Sequence, residues 1–395
     1  MERNVALLTQ IPAGTKDFLP EDAKQKRIME TSWSALFEQW GFREIVTPTL
    51  EYYQVLTAGV GTGLERDMYK FLDRQNSILA LRPDMTTPIA RVAASRLQDE
   101  PLPLRLYYIA NVFQHVAQIQ AGRQCEFYQA GVELLGAGTP MADAEIIALA
   151  VEALREAGLN GIHVSIGQVE FINGVLEETG LTAPERQAIK HALVNRDFVG
   201  LAKLLGESGL TPEKQAFITR IPLMHGKEEV IREAIAMTGN FKAKQALQNL
   251  HTIFVMLEMY GLTDYVNVDL GLIRDFDYYT GMVFEVYTPG LGFPVCGGGR
   301  YDNLVEQFGP AVPATGFAIG VERAILALRR QEYAFPGEAD RYLVTYQAGF
   351  EARAVQKARE LRAQGHIAEL AMEGLEDMPP QTATAHVKLI KVGQP

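Results

Sequence analysis

Apolar residues in the N-terminal part of the chain follow both helical and alternating patterns, which predicts a mixed fold. A helical pattern over 16–40 ends at Gly41, a residue typical of the position after a helix. Two apolar stretches, 104–113 and 126–135, predict strands joined by a loop, and 143–157 predicts a helix capped by Thr139-Pro140. Shorter patterns predict strands at 42–46, 77–81 and 164–166, and a helix at 86–97.

The pattern changes in the middle of the chain, where nearly every segment reads as a helix. The predicted helices are 173–179, 184–194, 197–205, 213–221, 227–237 and 242–259. Beyond them, strands return at 266–270, 278–287, 294–297 and 314–319, and a helix follows at 321–330. A block of helices between two groups of strands predicts a helical insertion in a larger domain.

The last segment of the chain repeats a smaller mixed pattern, with strands predicted at 341–346 and 386–391 around a helix at 351–363. Strands interleaved with helices and a helical insertion favour the α+β class. The predicted domains are a core of residues 1–167 and 263–330, a helical insertion of residues 168–262, and a short C-terminal α/β segment of residues 331–395.

Charge argues against a chain built to bind nucleic acid. The chain has 37 Lys and Arg residues against 48 Asp and Glu residues, a net charge of −11. A local basic patch is possible, but the overall field repels phosphate.

The two cysteines and the absence of a long apolar run indicate the cellular compartment of the protein. Cys125 and Cys296 are too few for a disulfide framework or a Cys-rich zinc site, and sparse thiols fit a reducing compartment. The sequence has no apolar run of about 20 residues and no signal-like N-terminus. We therefore expect a cytoplasmic protein.

A search for general catalytic and cofactor-binding motifs identifies no clear site. The glycine-rich stretches 59–63 and 297–299 lack the Lys-Ser/Thr of a phosphate-binding loop and are typical of tight turns. The seven histidines are scattered without metal-ligand spacing. We predict neither a metal site nor a cofactor.

Polar and aromatic residues occur inside segments that read as buried strands: Gln129, Glu133, Arg274, Asp277, Tyr278 and Tyr279. Gln129 and Glu133 are four residues apart, so they face the same side of a strand. Burying Glu133 and Arg274 without partners costs several kcal/mol. The pattern alone leaves two alternatives open: the two residues pair with each other, or they line a polar pocket.

Read together, several segments in order resemble the core of the class II aminoacyl-tRNA synthetases, and histidyl-tRNA synthetase in particular. The segments are Gly41–Pro48, Leu81–Thr86, Gly122–Glu133, Leu272–Gly281, Gly298–Asp302 and Gly316–Arg323. The resemblance covers about residues 10–330 and implies the class II fold, an antiparallel sheet flanked by helices. It also implies a dimer, because the first segment resembles the motif that builds the dimer interface.

The residues that bind ATP in the synthetases are replaced in this chain. Gln114 stands where the synthetases have the arginine that grips the ATP α-phosphate, and Val116 stands where they have a glutamate. Gln114 cannot supply a charged bidentate clamp, and the loop 117–121 is uncharged. Since phosphoryl chemistry depends on cationic stabilisation, the resemblance implies loss of adenylate formation, although Arg323 still matches the arginine of the third motif.

The tRNA end of the pattern is missing as well. The segment 331–395 is shorter than the anticodon-binding domain of the synthetases. It carries seven Lys and Arg residues against nine Asp and Glu residues, and the helical insertion is close to neutral. This part of the chain therefore has no electrostatic footprint for tRNA.

The amino-acid end of the pattern is retained. By resemblance, Asp84 and Thr86 lie at the ammonium of a bound histidine, Gln129 reaches its ammonium or carboxylate, and Arg274 faces its carboxylate. Glu133 and Tyr279 address the imidazole, Tyr278 lines the pocket, and Arg123 belongs to the segment that resembles the second motif. The histidine-binding residues implied in this way are Asp84, Thr86, Arg123, Gln129, Glu133, Arg274, Tyr278 and Tyr279.

A chain that keeps the histidine-binding residues of the synthetases but lacks their ATP- and tRNA-binding features resembles the regulatory subunits of ATP phosphoribosyltransferase. This resemblance implies a protein that is not itself an enzyme. It implies activation of the short-form catalytic subunit and feedback inhibition by histidine, in the first step of histidine biosynthesis. It further implies a hetero-octamer of regulatory and catalytic dimers.

Three alternatives remain at this point. The chain could be an active histidine-activating enzyme or truncated synthetase, against which Gln114 and Val116 argue. It could activate another small acid, although Arg274 and Tyr279 favour histidine. Finally, Glu133 and Arg274 could be paired remnants of a synthetase core, with histidine acting at a subunit interface.

Overall fold

The computed structural model describes residues 9–58, 65–115, 124–272, 278–336, 340–371 and 387–393. The chain forms two compact units, Met1–Tyr333 and Ala334–Pro395. Within the described residues, no helix has the length and apolar character that crossing a bilayer requires.

The strands of the first unit form one large and one small sheet. Their bounds are β1 Arg43–Glu44, β2 Leu50–Tyr52, β3 Lys70–Leu72, β4 Ile78–Leu81, β5 Leu104–Phe113, β6 Glu126–Leu135, β7 His163–Gln168, β8 His225–Gly226, β9 Val266–Asp269, β10 Met282–Tyr287, β11 Cys296–Arg300 and β12 Ala314–Gly320. The large sheet has nine strands in the order β1-β5-β6-β12-β11-β10-β7-β9-β8, and the small sheet has the order β2-β4-β3. The centre of the large sheet, from β5 to β7, is antiparallel.

The helices of the first unit flank this sheet. Their bounds are α1 Pro20–Gln39, α2 Tyr53–Thr57, α3 Thr86–Ser95, α4 Pro140–Glu156, α5 Val169–Glu177, α6 Ala183–Val194, α7 Phe198–Glu207, α8 Pro212–Arg220, α9 Glu228–Met237, α10 Phe241–Met259 and α11 Val321–Arg330. Antiparallel strands combined with these helices confirm the predicted α+β class.

Buried contacts fix the positions of the helices α1 and α4. α1 ends as predicted, since Gly41 has a φ of +81°, a conformation that favours glycine. The Trp33 Nε1–H donates to the Ala153 carbonyl at 2.9 Å, which joins α1 to α4. Near the start of α4, the guanidinium of Arg300 pairs with Asp143 at 2.9 Å. The sheet is thereby anchored to α4 by charge as well as by apolar packing.

The helical middle of the chain begins and ends on neighbouring strands. Six helices, α5 to α10, lie between β7 and β9, and these two strands pair in parallel, Val164 opposite Val266. The two-residue strand β8, which the sequence analysis missed, pairs with β9. The division of the first unit into a core and an inserted domain stays a prediction.

The second unit is a small α/β layer. Its elements are β13 Arg341–Tyr346, α12 Glu351–Ala363, β14 Ile367–Leu370 and β15 Val387–Val392. β13 lies between β14 and β15 and pairs in parallel with both. Val344, Ala354 and Ala358 are fully buried between the sheet and the helix.

Several strand predictions were wrong in their bounds. The strand predicted at 278–287 begins only at Met282, and that predicted at 294–297 runs from Cys296 to Arg300. The strand predicted at 42–46 is reduced to β1. Short elements, among them β2, β3 and β14, were missed because three or four residues show no clear period.

Candidate functional site

A polar cavity of about 790 Å³ lies against the central sheet. Strands β6, β11 and β12 form one wall, and residues at the start of α3 and along α6 form others. Six predicted site residues line it: Asp84, Thr86, Gln129, Glu133, Tyr278 and Tyr279. The two remaining predicted residues, Arg123 and Arg274, lie outside the described residues.

Glu133 is the most buried acid in the cavity, with 2% of its surface exposed. The Thr86 hydroxyl donates to Oε1 at 2.8 Å, and the Tyr301 hydroxyl donates to Oε2. Across the ladder, Gly316 is opposite Glu133, and a Cβ at Gly316 would lie 2.1 Å from Oε2. Only glycine at 316 therefore lets this carboxyl group occupy its place. Gln129 lines the same cavity, which confirms that the two residues face one side of β6.

Burial makes this carboxyl group difficult to ionise. It raises the pKa of Glu133 to about 8, although the hydrogen bonds from Tyr301 and Thr86 act in the opposite direction. Burial likewise raises the pKa of Asp84 to about 6 and that of Glu322 to about 7. At neutral pH without ligand, Glu133 is therefore mainly protonated.

A raised pKa links Glu133 to the pH dependence of stability. The folded protein holds a proton that the unfolded chain releases near pH 4.5, so the free energy of unfolding falls as pH rises from about 4.5 to about 8. Asp84 acts in the same direction but has largely titrated by pH 7, whereas Glu322 is about half-titrated there and adds to the fall in both the wild type and the variant. Between pH 7 and 8, we expect Glu133→Gln to make this fall shallower by up to about 1.4 kcal/mol per pH unit.

Urea unfolding at a series of pH values measures this effect. Glu306→Gln is the matched control, because Glu306 is exposed, and it should keep the wild-type slope. Equal slopes for Glu133→Gln and the wild type between pH 7 and 8 would contradict the assigned pKa.

Asp84 presents a carboxylate oxygen that the described residues leave without a partner. Its side chain is buried, and Oδ1 accepts the N–H of Thr87 at 3.1 Å. Oδ2 is buried, and within the described ranges no group donates to it. Since buried polar atoms in proteins are nearly always hydrogen-bonded, an unpaired oxygen in a cavity is suited to a donor carried by a ligand.

Aromatic rings also line the cavity. The ring centroids of Tyr278 and Tyr279 are 4.7 Å apart, and those of Tyr278 and Tyr301 are 5.8 Å apart. Tyr278 and Tyr279 were predicted inside a strand, but they precede β10, which begins at Met282. Without a strand to position it, the Tyr279 ring packs against Gly299, where a Cβ would lie 2.9 Å from it.

Tyr301 is a site residue that the sequence analysis missed. It occurs in the segment Gly298–Asp302, which was used only to identify the resemblance. Its hydroxyl reaches Glu133 from the end of β11, and its ring is 2% exposed. A tyrosine following a glycine run and an arginine at the end of a buried strand was the available signal.

The residues at the nucleotide end of the family pattern are bonded to the backbone. The Gln114 amide donates to the Pro83 carbonyl at 2.9 Å. Arg323 donates to the Pro294 carbonyl at 3.0 Å, and its guanidinium lies 5.2 Å from the Phe293 ring centroid. Val116 and the uncharged loop 117–121 lie outside the described residues.

Whether Glu133 pairs with Arg274 cannot be read from the described residues, because Arg274 lies in the segment 273–277 outside them. Among the described residues, the hydrogen bonds to Glu133 come from Thr86 and Tyr301. The carboxyl group is thus supported by neutral hydroxyl groups, an arrangement that suits a polar cavity.

Comparison with known proteins agrees with this geometry. The family model described as histidyl-tRNA synthetase matches residues 14–324. The ATP phosphoribosyltransferase regulatory subunit of Moorella thermoacetica is 47% identical over 90% of this chain and 90% of that protein. That of Symbiobacterium thermophilum is 42% identical over 98% of both chains.

A solved structure supports the same assignment. An ATP phosphoribosyltransferase regulatory subunit/histidyl-tRNA synthetase from Bacillus halodurans C has a TM-score of 0.88 and 34% identity, covering 98% of this chain and 99% of that one. The predicted class II fold is therefore confirmed, and so is the predicted role in regulation rather than catalysis. The chain belongs to the family of ATP phosphoribosyltransferase regulatory subunits, which share the fold of histidyl-tRNA synthetase.

Proposed function

We propose that this regulatory subunit binds L-histidine in the polar cavity, activates a short-form catalytic subunit, and mediates feedback inhibition by histidine in the first step of histidine biosynthesis. The observation that carries the proposal is the buried Oδ2 of Asp84, which no described group satisfies, in a cavity that also holds Glu133. The ammonium of an amino acid supplies the missing donor, and Glu133 is a partner for an imidazole nitrogen.

The same cavity is poorly equipped to activate an amino acid. Gln114 replaces the charged clamp of the synthetases, and its amide is already bonded to Pro83. An uncharged amide stabilises developing phosphate charge far less than a guanidinium. We therefore propose that adenylate formation is lost, and that no tRNA is bound.

Regulation requires that histidine bind two states of the assembly with different affinity. The coupling free energy of such a system is typically about 1–3 kcal/mol, which is a change of roughly 5- to 150-fold in affinity. The proposed assembly is a hetero-octamer of regulatory homodimers and catalytic dimers in the cytoplasm. A stable contact with the catalytic subunit would bury more than about 1,000 Å².

Titration calorimetry with L-histidine, with and without a short-form catalytic subunit, tests the proposal. We expect histidine to bind, the two proteins to associate, and phosphoribosyl transfer to rise on association and fall with histidine. Histidine binding without a partner would favour the histidine-activating alternative, which pyrophosphate exchange with ATP measures directly. If histidine binds only when the catalytic subunit is present, its site lies at the subunit interface. If neither histidine nor the partner binds, the proposed function is wrong.

A further inference from the structure

Asp84, the residue on which the proposed function depends, lies in a short segment between two regular elements. β4 ends at Leu81 and α3 begins at Thr86, and the segment 82–85 belongs to neither of them. Its course is therefore set by contacts with neighbouring parts of the chain. These contacts decide where the carboxylate of Asp84 points within the cavity.

Arg82 holds the start of this segment in place. Its main-chain N–H donates to the Thr49 carbonyl, and its own carbonyl accepts the N–H of Phe113, both at 3.0 Å. The side chain is 4% exposed, and its guanidinium donates to the carbonyls of Asn111 and Thr47 at 2.9 and 2.7 Å. The chain therefore enters the segment at a fixed point.

The rotation that remains between Arg82 and Asp84 is restrained by Gln114. The ring of Pro83 fixes its φ at about −65°, so the freedom left is the rotation of the peptide group that joins Pro83 to Asp84. The side-chain amide of Gln114, directly after β5, donates to the Pro83 carbonyl at 2.9 Å. This hydrogen bond holds the peptide group before Asp84 in one orientation.

Gln114 is itself anchored on both sides. Its main-chain N–H donates to the Cys125 carbonyl at 2.9 Å, and the N–H of His115 donates to the Asp67 carbonyl at 2.7 Å. The Gln114 side chain is half-buried. Because its main chain is already fixed, the bond to Pro83 costs little further conformational entropy.

On the other side of Asp84, the carboxylate is tied to α3. Oδ1 accepts the N–H of Thr87 at 3.1 Å, whereas the described residues supply no donor to Oδ2. With the preceding peptide group held by Gln114 and Oδ1 held by Thr87, Oδ2 has one direction. Rotation of the peptide group would turn Oδ2 away or break the bond to Thr87.

We infer that Gln114 is a positioning residue for the bound amino acid, acting through Asp84. It holds the main chain so that Oδ2 of Asp84 accepts a hydrogen bond from the ammonium, and it makes no contact with the ammonium itself. The inference rests on the proposed function, since it concerns the same ligand. Gln114 also lines the cavity, but a direct contact with the ligand predicts a different result, because its effect would add to that of Asp84.

A double-mutant cycle on the full-length protein, measured by titration calorimetry with L-histidine, tests this role. Gln114→Met keeps the length of the side chain but removes the donor, and we expect a rise in Kd of about 2- to 10-fold, the effect of one neutral hydrogen bond. In the Asp84→Asn background, the same change should leave the Kd unchanged, because no carboxylate is left to position. Gln114→Asn, whose amide falls one methylene short of Pro83, should behave like Gln114→Met.

Gln75→Met is the matched control, because Gln75 is exposed and does not line the cavity; it should retain the wild-type Kd. Urea unfolding with an unchanged m-value shows that each variant is folded. Two results would overturn the inference: an unchanged Kd for Gln114→Met, or equal losses from this change in the wild-type and Asp84→Asn backgrounds. Equal losses would show that Gln114 contacts the ligand directly. A wild type that does not bind histidine would overturn the proposed function as well, whereas wild-type binding that Gln114→Met leaves unchanged removes the positioning role alone.

Discussion

Replacement of Arg300 by methionine should lower the free energy of unfolding by about 3–5 kcal/mol, the cost of leaving a buried charge without its partner. Arg300 Nε donates to Asp143 at 3.0 Å and Nη2 pairs with the same carboxylate at 2.9 Å. The remaining donors reach Asp302 and the carbonyls of Ala137 and Thr139. Because the Asp143 side chain is only 1% exposed, water cannot replace the lost guanidinium.

Urea unfolding with an unchanged m-value measures this loss. Arg329→Met is the matched control: Arg329 pairs with Asp22 at the surface, where its side chain is 41% exposed, and its loss should cost less than about 1 kcal/mol. The double variant Arg300→Met/Asp143→Leu should recover most of the lost stability, since it removes both charges. A cost for Arg300→Met no larger than that of the control would contradict the importance of this pair.

Asp84→Asn should weaken histidine binding by about 10- to 150-fold, which corresponds to one hydrogen bond to a charged group of about 1.5–3 kcal/mol. The asparagine keeps the size and the hydrogen bond from Thr87, but it removes the charge from the oxygen offered to the ammonium. In the wild type, affinity should also fall as pH drops below about 6, because Asp84 then becomes protonated. The variant should lack the contribution of Asp84 and keep only the pH dependence that comes from the imidazole of the ligand.

An analogue of histidine separates this contact from general damage to the cavity. Imidazole lactate carries a hydroxyl in place of the ammonium, so it should bind Asp84→Asn and the wild type with similar, weak affinity. Asp99→Asn, an exposed aspartate beyond the end of α3, should leave histidine affinity unchanged. Equal histidine affinity for Asp84→Asn and the wild type would remove Asp84 from the site.

Long, regular segments were predictable from the sequence. The bounds of β5 and β6 agree with the prediction, because ten residues of apolar pattern between turn signals leave little ambiguity. The six helices between β7 and β9 were also found, and in the structure Thr182 and Asn240 are the N-caps of two of them. The short strands β2, β3, β8 and β14 were missed, since strands of two to four residues show little pattern of their own and depend on hydrogen bonds to a neighbouring strand.

The candidate site was predictable only in part. Gln129 and Glu133 could be placed on one side of a strand by spacing alone, and the cavity confirms that placement. Tyr301 could not be connected to Glu133, because they are 168 residues apart in sequence. The unpaired oxygen of Asp84 was likewise invisible, since it depends on which donors the fold brings close.

The parallel pairing of β7 with β9 has a consequence for how the helical middle of the chain can vary. Neighbouring parallel strands cannot be joined by a tight turn and need a crossover of about a dozen residues or more. The helices α5 to α10 are, in topological terms, one such crossover connection enlarged to many times its minimum. Shortened versions of this connection are thus compatible with the sheet, provided that a crossover remains. We therefore expect the length of this segment to vary between related proteins, whereas the positions where it joins β7 and β9 stay the same.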